Sequence, residues 1–201
     1  VNSEFKAFTA SVPGWQKGLP SRLLADQNYL KSWPGSGEAA HPDPADLSRP
    51  VVNVSWFAAN DFCQFYGGRL PLVNEWEYVA TASETSRDAS RDPNFIEQIL
   101  QWYGESPAAR RTRSVGQLKP NIWGVYDMHG LAWEWTADFN TVFVSGDNRR
   151  DSDEVSNLFC GDGAVSASDR VNYAAFMRYA MRNSLRASYT LENVGFRCVY
   201  D

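Results

Sequence analysis

Apolar residues recur along the first hundred positions at the three-to-four spacing of one helix face. Phe5 and Phe8 suit a helix opening after Ser3, and Leu23, Leu24, Tyr29 and Leu30 suit a second. From Pro34 to Pro50 the pattern dissolves into Gly35, Gly37, His41, Pro42, Pro44 and Ser48, which reads as loop. Pro50-Val-Val-Asn-Val54 then reads as a short strand. Ser55 is placed to cap a helix whose inward face is Trp56, Ala59, Phe62, Cys63 and Tyr66, and Gly67-Gly68 ends it. Arg69-Leu-Pro71 is a brief extended link. A further helix runs from about Asn74 through Trp76, Val79 and Ala80. Another opens at Asp92-Pro93, with Phe95, Ile99, Leu100 and Tyr103 inward. Beyond this the pattern predicts short strands and long loops. Val194 to Tyr200 alternates with period two, so Val194, Phe196, Cys198 and Tyr200 share one strand face. Helices early and short strands late, with much irregular chain, predict a single α+β domain over residues 1–201.

The chain has 201 residues, eight Trp, nine Tyr and eleven Phe, so the core is expected to be aromatic, with partners for the Trp and Tyr polar tips. A net charge of −5 without a basic run argues against a nucleic-acid surface. The cluster Arg110, Arg111 and Arg113 reads as a solvated turn. No apolar run is long enough to span a membrane. No Ser-His-Asp order, phosphate loop or dinucleotide fingerprint is present.

The candidate chemistry centres on Gly124-Val-Tyr-Asp-Met-His-Gly-Leu-Ala-Trp-Glu-Trp135. Asp127 and Glu134 flank a tight turn at Gly130, and intervening carbonyls can complete an oxygen cage for a hard cation such as Ca²⁺. The alternative is turn capping and an ion pair with an arginine. Trp133 and Trp135, with Asp138 and Asn140 just after them, can line a polar cleft with aromatic walls, and Arg178, Arg182 and Ser184 can bring positive charge and a hydroxyl to it. The plainer reading makes the Trp residues core and the polar residues loop ties. There are only two histidines, His41 and His129, and no transition-metal spacing. His41 is expected to be exposed, and His129 to be a hydrogen-bonded residue beside the motif.

Three blocks carry a family resemblance. Pro50-Val-Val-Asn-Val-Ser-Trp-Phe-Ala-Ala-Asn-Asp-Phe-Cys63, with Gly68-Arg-Leu-Pro71 and Glu75-Trp-Glu-Tyr78, resembles PV-x-x-VSW-x-x-A-x-x-YC and RLPTEAEWEY. Asn121 to Trp135 resembles GLYD-x-x-GN-x-WEW, and Asn193-Val-Gly-Phe-Arg-Cys198 resembles N-x-GFRC. These are motifs of the formylglycine-generating enzyme, or sulfatase-modifying factor, family. The resemblance implies its loop-rich fold, related to C-type lectins. It also implies an opening PGG-x-F-x-MG hairpin that this sequence lacks, so an edge strand is expected to want a partner. Asp138 to Gly146, Phe159 to Ala164 and Phe176 to Arg182 resemble a divergent branch encoded beside copper nitrite reductases and described as accessory or maturation proteins.

The resemblance assigns roles to particular residues. Cys63 and Cys198 match family cysteines that form a disulfide, which implies an oxidising compartment, periplasmic or secreted. Asp127 and Glu134 match side-chain ligands of a structural Ca²⁺, and Gly130 and Ala132 match its carbonyl ligands. Leu131 replaces the usual Asn. The family's other calcium loop falls between Trp102 and Asn121, where Glu105 is the only acid, so no second site is expected. The family's oxidase holds Cu(I) between two nearby cysteines, a soft linear site. Here Ala167 and Asn172 align with that pair, or Cys160 with its first member and nothing with its second. Copper is therefore not expected, nor oxidase activity of the usual kind. Cys160 remains the candidate catalytic thiol, or else a small buried hydrophobe. Three functions follow: an exported accessory or maturation factor for a partner such as a copper enzyme, an altered oxidoreductase using Cys160, or a lectin-like binding module.

Overall fold

The computed structural model describes residues 1–140 and 170–201. Cys160 and Ala167, with the 141–169 stretch that contains them, lie outside the described residues. The described chain carries six α-helices and two three-residue strands, joined by long loops. Helix α1 (Asn2–Ser11) buries Phe5 and Phe8. Helix α2 (Trp56–Phe65) starts at Ser55, whose hydroxyl accepts from Ala58 N at 3.2 Å, and buries Ala58, Ala59, Phe62 and Cys63. Helix α3 (Val73–Ala80) buries Val73, Trp76 and Ala80. Helix α4 (Pro93–Gly104) is capped by the Asp92 carboxylate on Asn94 N. After the short α5 (Pro107–Arg111), strand β1 (Trp133–Trp135) pairs in parallel with β2 (Val194–Phe196), Glu134 opposite Gly195. Helix α6 (Arg170–Asn183) lies between the two strands in sequence.

Several expected elements differ. Leu23 to Leu30 is a set of turns, with Leu23 85 % exposed; Leu30 takes positive φ, and the Asp26 carboxylate ties Asn28 N, Thr190 N and Thr190 Oγ1 instead of leaving the backbone to a helix. The run at 50–54 is not a strand. Asn53 has φ 57° and bonds Leu191 O and Thr190 O, while Leu30 N bonds Asn53 O, so the backbone turns where a strand would continue. The α4 face is rotated by about one residue: Ile96, Ile99 and Trp102 are buried. Tyr66 and Tyr200 are exposed, not inward, because α2 ends at Phe65 and β2 stops at Phe196, leaving Val199 in an isolated bridge with Arg69. Arg110, expected in a solvated turn, is buried.

The main core is aromatic. Phe5 stacks on Phe62 at 5.5 Å, and Phe62 meets Phe196 edge-on at 5.1 Å. Polar tips are mostly met inside: Trp33 Nε1 donates to Asn2 Oδ1 (3.1 Å), Trp135 Nε1 to Val54 O (3.0 Å), and Tyr29 OH to Trp15 O (2.9 Å). The Cys63–Cys198 disulfide ties α2 to the chain just after β2, with Cα atoms 5.4 Å apart. A smaller cluster of Trp76, Ala80 and Met128 supports the turn that precedes β1.

Candidate functional site

The Asn121 side chain shapes the turn that leads into β1. Its Oδ1 accepts from Trp123 N and Val125 N, both at 3.1 Å, and its Nδ2 donates to Val79 O at 2.9 Å. Asp127 follows with φ 54°, and Gly130 with φ 120°, a value that favours glycine. Asp127 Oδ2 accepts from Gly116 N at 2.6 Å, whereas its Oδ1 is buried with no hydrogen-bond partner.

Glu134 is fixed by Arg197, whose Nε and Nη2 donate to it at 2.6 and 2.8 Å, and by Trp76 Nε1 at 2.6 Å. Arg197 also donates to Tyr126 O (3.3 Å) and Asp127 O (3.2 Å). Burial alone would lower the Arg197 pKa, but Glu134 outweighs it and the value is raised. The ion-pair alternative for Glu134 is thus present in the structure, with Arg197 as the partner.

Asp127, Ala132 and Glu134 line one cleft of ≈ 540 Å³; Gly130 does not line it, and its carbonyl accepts from Arg113 Nη1 at 3.1 Å. The donor set is two carboxylates and carbonyl oxygens, all hard. The unpartnered Asp127 Oδ1 is the kind of buried acceptor that a cation would satisfy. Arg197 offsets one of the two negative charges, leaving the set with a net charge of about −1. These residues fit a hard cation in donor type, with Asp127 as the least committed ligand.

The second set of candidates meets around α3 and α6. Arg178 donates to Glu77 through Nε (2.9 and 3.0 Å) and Nη2 (2.6 Å), and through Nη1 to Tyr103 OH (3.1 Å). Arg182 Nη1 reaches the same Glu77 at 2.7 Å. Both guanidinium groups lie over the Trp76 ring, at 5.8 and 4.6 Å. Burial would raise the Glu77 pKa, but Arg178 and Arg182 overcome this and hold it below the usual carboxylate range. Burial would likewise lower the Arg178 pKa, and Glu77 raises it instead.

Trp133 stacks on Tyr103 at 5.1 Å and stays half-buried. Trp135 is fully buried and serves the core rather than a cleft wall. Asp138 accepts from Val73 N at 2.7 Å at the start of α3, Asn140 is exposed, and Ser184 donates to Met181 O as α6 ends. Trp133, Arg178 and Arg182 therefore converge, while Ser184 makes a local helix-end contact. His129 donates through Nε2 to Ala80 O (3.0 Å) and is ringed by Trp76, Phe95 and Trp102. Burial, with Arg178 nearby, lowers its pKa to about 4. His41 is exposed. Among the described residues no three His, Cys, Asp or Glu side chains gather as a metal cluster.

Sequence reasoning missed the roles of Glu77, Tyr103 and Arg197. Glu77 and Arg197 lie inside the blocks that carry the resemblance, and that position was the only available signal.

A family model described as the sulfatase-modifying factor enzyme 1-like domain matches residues 3–201, and the chain belongs to this family. It is 32 % identical over 222 residues to the formylglycine-generating enzyme of Bos taurus, covering 100 % of this chain and 54 % of that protein. The formylglycine-generating enzyme of Mycobacterium tuberculosis is 34 % identical over 209 residues, covering 89 % and 68 %. A Mus musculus protein named inactive C-alpha-formylglycine-generating enzyme 2 is 30 % identical over 161 residues, covering 76 % and 49 %. The chain spans about half the length of several of the curated relatives it matches.

Proposed function

We propose that this chain is a non-oxidase member of the sulfatase-modifying factor family, acting as an exported accessory or maturation factor for a partner protein such as a copper enzyme. The observation that carries this reading is the use of the cysteines. The sequence holds three, and the disulfide consumes Cys63 and Cys198. Within these 201 residues Cys160 has no second thiol with which to build the two-thiolate copper site that the family's oxidase resemblance implies. A relative named as inactive supports the same reading. The disulfide supports an oxidising compartment, and no described helix is long and apolar enough to cross a membrane. The few strands and loop-rich chain agree with a C-type-lectin-like scaffold.

In this reading Asp127 and Glu134, with the Gly130 and Ala132 carbonyls, hold a structural Ca²⁺. When bound, the ion supplies charge to an otherwise unpaired carboxylate oxygen and ties the turn to β1.

The test is elemental analysis of protein purified without chelator, together with an assay on a sulfatase-type cysteine peptide. Near-stoichiometric calcium, no copper and no turnover are expected. Peptide turnover, or copper that is lost on Cys160→Ser, would overturn the non-oxidase reading and favour an altered oxidoreductase. Co-purification with a copper enzyme supports the partner assignment. Saturable glycan binding without a protein partner would replace it with a lectin-like module.

A further inference from the structure

The Arg197 guanidinium gathers four oxygens around the turn that leads into β1. Nε donates to Glu134 Oε2 at 2.6 Å, and Nη2 donates to Glu134 Oε1 at 2.8 Å. Nη2 also reaches Asp127 O at 3.2 Å, and Nη1 reaches Tyr126 O at 3.3 Å. One nitrogen, Nη2, therefore bridges the Glu134 carboxylate and the main chain of Asp127. These are the two acidic residues of the candidate cation site, and a positive group of the chain itself already links them.

The acceptor positions of Glu134 can be counted. An ionised carboxylate offers about four lone-pair sites over its two oxygens. Oε2 accepts from Arg197 Nε and from Trp76 Nε1 at 2.6 Å, and Oε1 accepts from Arg197 Nη2. About one site remains, and it lies on Oε1. Calcium takes carboxylates through one oxygen or through both. With these bonds in place, Glu134 can offer only one. Offering both requires Arg197 or Trp76 to withdraw from Oε2. The Trp76 indole is a neutral donor, whereas Arg197 also opposes a second cation by charge. The side chains of Arg197 and Glu134 are 23 % and 11 % exposed, so salt screens that repulsion less than it does at the surface.

We propose that Arg197 is a tethered competitor of the calcium ion. Its guanidinium claims the carboxylate that the ion needs, and it withdraws from Glu134 as the ion binds. Arg197 thereby holds the calcium affinity below what the oxygen donors alone provide. The proposal rests on the calcium reading above and goes beyond it in giving Arg197 this positioning role.

The test is calorimetric titration of chelator-stripped protein with calcium chloride at constant ionic strength. Arg197→Met removes the charge and the fork and adds no oxygen. It is expected to bind calcium tighter than the wild type by about tenfold or more. Arg22→Met removes an equal charge from an exposed arginine outside the turn and is expected to bind as the wild type does. A smaller gain in Arg197→Met overturns the proposal and leaves the calcium reading in place. An equal gain in Arg22→Met also overturns it, since net charge alone would account for the effect. If Arg197→Met does not fold, the wild type decides through proton–nitrogen NMR of the arginine side chains. The Arg197 Nε–H signal should shift upfield along the same saturation curve as the calorimetric binding, and its exchange with water should quicken. A signal that stays in place while calcium binds overturns the proposal. If no calcium binds to the wild type, or to Arg197→Met where it folds, the proposal and the calcium reading fall together.

Discussion

Replacing Glu77 with Gln removes a carboxylate that two buried arginines share. The side chains of Arg178 and Arg182 are 7 % and 6 % exposed and that of Glu77 15 %, so water cannot take over the solvation of the guanidinium groups. Breaking a buried pair by removing one partner costs about 3–5 kcal/mol, because the other charge stays buried and uncompensated. For a chain of this length each kcal/mol lowers Tm by about 2–4 °C, so Glu77→Gln should lower it by roughly 6–20 °C. The assay is a thermal melt followed by circular dichroism. Added salt should not rescue the variant, since buried pairs are little screened. The folded-state pKa of Glu77 is depressed, so its contribution is complete above the unfolded carboxylate value and is lost as pH falls through the folded one. The gap between wild type and variant should therefore be full at neutral pH and narrow only below about pH 4. A loss under about 1 kcal/mol at neutral pH, or recovery in high salt, would refute the reasoning and mark the triad as solvated.

Other outcomes follow from the same structure. Alkylation without reductant should leave Cys63 and Cys198 unmodified; because their bridge closes a 135-residue separation, removing it should cost about 5 kcal/mol on the chain-entropy relation, checked by denaturant melts of Cys63→Ala/Cys198→Ala. His129 is held neutral, with its pKa depressed from 6.5 to about 4, so stability is expected to fall as pH drops through that window. A plot of stability against pH should be shallower there for His129→Gln, and identical slopes would exclude the assignment. Chelator should lower the Tm of the wild type and leave that of Asp127→Ala unchanged, because Asp127 Oδ1 is the oxygen without another partner. Arg197→Lys keeps the charge but cannot hold Glu134 through two nitrogens while reaching two carbonyls, so it should cost about 1.5–3 kcal/mol in the same melts.

Elements bounded by local chemistry were legible in the sequence. Ser55 and Asp92 each accept from a backbone N–H of the helix they precede, and Pro93 fits the first turn of α4. What failed depended on partners far along the chain. The 50–54 run has strand composition, but Asn53 bonds residues about 190, and that contact sets its positive φ. Helix α6 was hidden for a different reason. Its inward positions include Ala174, Arg178 and Arg182, four residues apart, so two of the residues that face the interior are charged and the apolar period does not appear. The candidate site divides in the same way. Asp127 and Glu134 were legible because they sit close in sequence around one turn. Their control by Arg197, and that of Arg178 by Glu77, spans 63 and 101 residues and leaves no periodic trace.

Two three-residue strands cannot hold such a loop-rich chain together by themselves; isolated short pairings are marginal in water. The stabilising ties converge on the segment that contains β2. Alternation along this strand places Gly195 and Arg197 toward one side, and Gly195 faces Glu134 in the register with β1. Arg197 can thus reach Glu134 diagonally while also holding the Tyr126 and Asp127 carbonyls. The next residue, Cys198, is bridged to Cys63 on α2, and Val199 exchanges two backbone hydrogen bonds with Arg69 ahead of α3. Trp76 on α3 closes the circuit by donating to the same Glu134. Gly195 cannot carry a side chain within this arrangement, since a Cβ there would lie 2.7 Å from Val51 O. Covalent, ionic and backbone ties thus fall on one short run, 195–199. The geometry of the Asp127–Glu134 turn is set by distant chain rather than by the turn alone, which is why so short a motif requires the whole domain to hold its shape.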